Sequence, residues 1–152
     1  MRERLKFRLE ELDKHLKQMK KNISYLDVFY GFPLKDEYVE TILNSSDIDK
    51  LDSIAYRMIK FQDSLGKSIK LFFALKEEDT ESLTMLDLIN LAQKKGFSID
   101  VELWREIRRL RNALTHEYIQ SISEITHAVN ILKNKLSFFE KILNELKNRS
   151  DF

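Results

Sequence analysis

The stretch LWREIRRLRNALTHEY, residues 103–118, holds the side chains best suited to chemistry in this chain. His116 can take or give a proton near neutral pH, because an unperturbed imidazole titrates at about 6.5. Arg111 stays charged and meets phosphate oxygens as a planar fork. Cleaving a phosphodiester that carries a neighbouring hydroxyl, without a metal, needs a base for that hydroxyl, an acid for the leaving oxygen, and positive charge on the phosphorane. Arg111 and His116 supply those functions. Asn112, one turn from His116, is placed to orient the imidazole or to hydrogen-bond the phosphate, and Thr115 is a weaker helper. Arg105, Arg108 and Arg109 surround this set, and between Arg105 and His116 the four arginines face one carboxylate, Glu106. A chain with a net charge of only +1 thus concentrates positive charge beside its most interesting histidine, an arrangement that suits a polyanion.

Taken singly, these residues have plain structural roles: a histidine favoured by the dipole at a helix C-terminus, a snorkelling surface arginine, a tyrosine packed at a bundle end. It is their combination that points to chemistry. His15 and His127 lie on helices without comparable neighbours and read as structural or surface residues. Gln62 and Asp63 read as a solvated helix face, although they are able to support the site from a second helix. The lysines of 14–21 and 133–147 read as solvated too, with a share in holding a polyanion. No metal site is expected, since the three histidines are scattered and no carboxylate or histidine accompanies His116 at a ligand spacing. No cofactor is expected either.

The elements that must position these residues follow from apolar spacing. Leu5, Leu9, Leu12, Leu16, Met19, Ile23, Leu26 and Tyr30 alternate steps of four and three, a heptad seam along one long helix that Gly31 and Pro33 end. Ile125, Val129, Leu132, Leu136, Phe139, Leu143 and Leu146 repeat the pattern, and the two helices are expected side by side. A loop with one short helix follows Pro33. Leu51, Ile54, Met58, Phe61, Leu65, Ile69 and Phe72 form a second long stripe, with Gly66 inside it at a cost of roughly 1 kcal/mol. Residues 84–95 make a shorter helix ending at Gly96, after which Ser98 or Asp100 caps the helix of residues 101–115. That last helix buries Leu103, Ile107, Leu110 and Leu114 and carries the polar set.

With three glycines and one proline in 152 residues, there is little material for the tight turns of a β protein. The expected fold is therefore one all-α domain over residues 1–152, an up-down four-helix bundle with one or two extra short helices. The absence of cysteine excludes disulfides and thiolate metal sites, and with the charged N-terminus and no long apolar run it points to a cytoplasmic protein that does not span a membrane.

Arg111, the four residues NALT, His116, Glu117 and Tyr118, with polar Asn112 directly after the arginine, resemble the hallmark of HEPN domains, in particular HepT-like toxins. The layout is similar as well: an amphipathic helix YRMIKFQDSLGKSI, a short helix with its Gly96 turn, the motif helix and a closing helix. The likeness covers most of the chain, but only the motif is specific. It implies a metal-independent endoribonuclease toxin acting on tRNA or mRNA, leaving a 2′,3′-cyclic phosphate and a 5′-hydroxyl. It also implies a homodimer with a composite cleft, and an MNT-type nucleotidyltransferase antitoxin that adds AMP to Tyr118. Related helical domains serve instead as the non-catalytic binding subunit of a small nucleotidyltransferase, which is the alternative reading. In a straight helix with about 100° per residue, Arg111 and His116 point about 140° apart while Arg111 and Tyr118 differ by about 20°. Either the helix ends near His116 and lets the ring swing inward, or two chains present their motifs to a shared cleft; the resemblance implies the second.

Overall fold

The heptad seam of the N-terminal segment becomes helix α1, Arg2–Tyr30, in a computed structural model that describes residues 1–76, 78–115 and 121–150. Gly31, at φ 82°, takes the left-handed conformation that only glycine adopts freely, and its amide bonds Asp27 O to close the helix. Five more helices follow among the described residues: α2 (Asp36–Leu43), α3 (Ile48–Leu75), α4 (Met85–Lys94), α5 (Val101–Thr115) and α6 (Ile122–Arg149). Among the described residues there is no strand, and no helix is long and apolar enough to cross a membrane.

The four longer helices stand at the corners of a square, each packed on two neighbours: α1 on α3, α3 on α5, α5 on α6, and α6 on α1. Side-chain pairs give the directions. His15 meets Arg57 while Asn22 meets Ser53, so α1 and α3 are antiparallel. Lys20 pairs with Glu140 and Lys147 with Asp13, so α1 and α6 are antiparallel too, as expected of the two heptad helices. Glu106 with Lys135 on one flank of α5, and Trp104 with Gly66 on the other, fix the remaining edges. The result is an up-down-up-down bundle, with α2 laid against α3 and α6 and α4 against α3 and α5. The apolar stripes read from the sequence form its core, with Phe61 of α3 and Phe139 of α6 stacked at 4.8 Å across the middle.

The corner between α4 and α5 sets the start of the motif helix. Thr84 and Asp87 form a reciprocal capping box at the head of α4. Gly96 turns the chain at φ 91°, and Asp100 Oδ1 then accepts the Leu103 amide at 2.7 Å to cap α5. Of the two capping residues expected, Asp100 takes the role. Ser98 instead donates its amide and its hydroxyl to the two oxygens of Glu145 on α6. Arg149 completes the corner by donating to Lys95 O at 2.6 Å and lying 4.1 Å over the Phe97 ring.

Candidate functional site

The apolar residues Leu103, Ile107 and Leu110 hold α5 against the bundle, which turns Trp104 and Arg111, seven residues apart, to the side of α3. A cleft of about 470 Å³ opens there between α3 and α5, lined by Lys60, Gln62, Asp63, Lys67, Lys70 and Arg111, with Met85, Trp104 and Gly66 as its floor. A Cβ at Gly66 would stand 3.4 Å from the Met85 sulfur and 3.5 Å from Trp104 Cη2, which is ordinary contact, so the indole and the thioether lie close over the backbone of α3 there.

Arg111 is half-buried, and its Nε is buried with no hydrogen-bond partner among the described residues. No carboxylate among them lies at ion-pair distance from its guanidinium; Asp63, the one acid among the described residues of the cleft, pairs with Lys67 at 3.1 Å. Lys60 and Lys70 are exposed and likewise pair with no carboxylate among the described residues. Among the described residues, four cations thus share the cleft with one carboxylate, an arrangement that suits an anion.

The other expected residues divide around α5. Arg108 is exposed on the shoulder about 60° from Arg111. Arg105 is exposed further round, and Arg109 points about 160° away, where it meets Glu102 at 3.3 Å and lines a separate groove with His127 and Glu124 between α5 and α6. Arg105 and Arg109 therefore do not share the cleft with Arg111. Asn112 is exposed and engaged, and Thr115 donates its hydroxyl to Arg111 O at 2.7 Å, which turns it back onto its own helix. His116 and Tyr118 lie outside the described residues. Gln62 and Asp63, read as a solvated face, stand in the cleft opposite Arg111.

Some charges of the lysine-rich stretches are committed elsewhere: Lys20 with Glu140 and Lys147 with Asp13 fasten α1 to α6, Lys135 with Glu106 fastens α5 to α6, and Lys17 pairs with Asp13 within α1. His15 is structural: it is 4% exposed, Arg57 donates to its Nδ1 at 3.1 Å, and its Nε2 faces Glu11 at 3.5 Å. Arginine can only donate, so Nδ1 is unprotonated and the ring is neutral. Burial, with the Arg57 charge next, holds its pKa below the ordinary histidine value. His127 is exposed, and no group of three or more metal-ligating side chains is assembled among the described residues.

The sequence reading missed Lys60, Lys67 and Lys70. Their signal was present, since Tyr56, Lys60, Asp63, Lys67 and Lys70 follow helical spacing, but a stripe of charges on one helix looks the same whether or not a second helix overhangs it. Compared with known proteins, the chain matches no family model, no curated protein and no solved structure, so its site is read from its own geometry.

Proposed function

We propose that this chain is a metal-independent endoribonuclease toxin of the HEPN/MNT kind, in which Arg111 holds the scissile phosphate and His116 moves the protons. The observation that carries the reading is Arg111, with no carboxylate at ion-pair distance among the described residues, lining a cleft with three lysines. In the reaction the 2′-oxygen forms a bond to phosphorus as it loses its proton to a base. The bond from phosphorus to the 5′-oxygen then breaks, and that oxygen receives a proton from an acid. The products are a 2′,3′-cyclic phosphate and a 5′-hydroxyl. Histidine suits both transfers at neutral pH, and Arg111 offsets the charge that builds on the phosphorane. Asn112 orients the imidazole, and Arg108 extends the positive shoulder. A homodimer would bring two motifs to one cleft and reconcile the divergent directions of Arg111 and His116.

The partner in this reading is an MNT-type nucleotidyltransferase. The Tyr118 phenol oxygen attacks the α-phosphorus of ATP, loses its proton, and pyrophosphate leaves. The added adenylate places negative charge on the flank of Arg111 and repels RNA.

The test is to incubate the purified protein with total RNA in excess EDTA and to sequence the ends produced. Cyclic-phosphate and 5′-hydroxyl ends should appear, and should be reduced about 10²- to 10⁴-fold in Arg111→Ala and in His116→Ala. Dependence on Mg²⁺ or Mn²⁺ would overturn the metal-free reading. A wild type as inert as His116→Ala would make the chain a binding subunit instead.

A further inference from the structure

One stripe of α3 runs past Arg111 and continues beyond the cleft. Tyr56, Lys60, Asp63, Lys67 and Lys70 lie within about 40° of a common direction and span about 21 Å. Three of them are lysines exposed to solvent, and two of those pair with no acid among the described residues. At the head of the stripe Tyr56 is 52% exposed. Two cations approach its ring, the Arg57 guanidinium at 5.4 Å and the Lys60 ammonium at 5.6 Å. An exposed aromatic ring followed by spaced cations is how proteins seat single-stranded nucleic acid: a base stacks on the ring while the backbone follows the charges.

We propose that this α3 stripe seats a single RNA strand, with one base stacked on Tyr56, flanking phosphates on Lys60, Lys67 and Lys70, and the phosphate between them on Arg111. The assignment of RNA rests on the ribonuclease reading; the seat itself rests on the stripe. Lys67 exchanges its Asp63 partner for phosphate when the strand arrives, so Asp63 acts as the electrostatic counterweight of the seat. Among the described residues the stripe's cations form a single row on α3, which fits one backbone rather than the two of a duplex. The arginines on the far side of α5 lie outside the path.

The test uses a fluorescent single-stranded RNA with 2′-O-methyl groups, which binds but cannot be cleaved, and measures its affinity between about 50 and 200 mM salt. Each of Lys60→Ala and Lys70→Ala should weaken binding about 5-fold at about 0.1 M salt and flatten the log–log salt slope by about 0.7, the share of one phosphate on a single strand. Tyr56→Ala should weaken binding by about 5- to 150-fold with the salt slope unchanged, and Tyr56→Phe should restore it. Asp63→Asn should tighten binding. Lys35→Ala, which removes the same charge from an exposed site beside α2, should change nothing. Wild-type affinity in the α3 variants would overturn the seat, as would equal binding of the same sequence as a duplex, or retention of a glutamate-rich peptide in place of RNA. The two readings fail separately. Binding through the stripe with no cleavage of any RNA would refute the ribonuclease and keep the seat, whereas cleavage with unchanged KM in the α3 variants would do the reverse.

Discussion

Replacing Arg111 by methionine should make the protein more stable and inactive at once. Methionine keeps most of the length of the arginine stem and its contacts with the floor of the cleft, and removes the buried Nε that has no partner among the described residues. An unsatisfied buried donor costs roughly 1–3 kcal/mol, and because Arg111 is only half-buried the lower end applies, about 1 kcal/mol. For a chain of this size that corresponds to a rise in Tm of about 2–4 °C. The assay is urea or thermal unfolding of both proteins, with and without inorganic phosphate. The free variant should unfold later than the wild type, and phosphate should raise the Tm of the wild type only. Cleavage should fall about 10²- to 10⁴-fold in the same preparation. If the variant is less stable by 1 kcal/mol or more, Arg111 is a packing residue whose donors are satisfied. If it cleaves normally, the cleft is not the site.

Gly66→Ala should stabilise α3 by roughly 0.5–1 kcal/mol, since glycine costs that much in a helix interior and the added methyl would meet Met85 and Trp104 at ordinary contact distance; a lower Tm would show that Trp104 cannot yield. Asp100→Ala should cost about 1 kcal/mol by freeing the Leu103 amide, measured by urea unfolding, and no loss would mean that another acceptor caps α5. His15 is neutral and resists protonation in the fold, so below its ordinary value near 6.5 the unfolded chain takes up a proton that the folded chain refuses. Stability should therefore fall as pH drops from about 7 to about 5, and His15→Gln should flatten that fall; an identical pH profile in the variant would remove His15 from the account.

The helices were legible because each buries a stripe that its spacing already shows. Leu5 to Leu26 and Val129 to Leu146 are buried as their heptads require, and Gly31, Gly96 and Asp100 end or begin helices by backbone chemistry that acts locally. The direction of Arg109 was legible too, since about 100° per residue turns it from Arg111 regardless of what surrounds α5. What could not be read was the cleft. It lies where Trp104 of α5 approaches Gly66 of α3, residues 38 apart in sequence, and no periodicity along one helix shows which neighbour will cover it. The same limit hid the difference between Lys20 and Lys147, which are neutralised across the α1–α6 seam, and Lys60 and Lys70 of α3, which pair with no carboxylate among the described residues.

Arg149 and Glu145 give the end of α6 a reach that its position does not suggest. By bonding Lys95 O and Ser98 and covering Phe97, they tie the α4–α5 corner to the last turns of the closing helix. Local opening in proteins proceeds in cooperative units rather than residue by residue. If the last turns of α6, the corner and the first turn of α5 form one such unit, their amides should exchange with solvent at a common free energy, and because Trp104 stands in that first turn, fraying at the end of α6 would loosen the floor under Arg111.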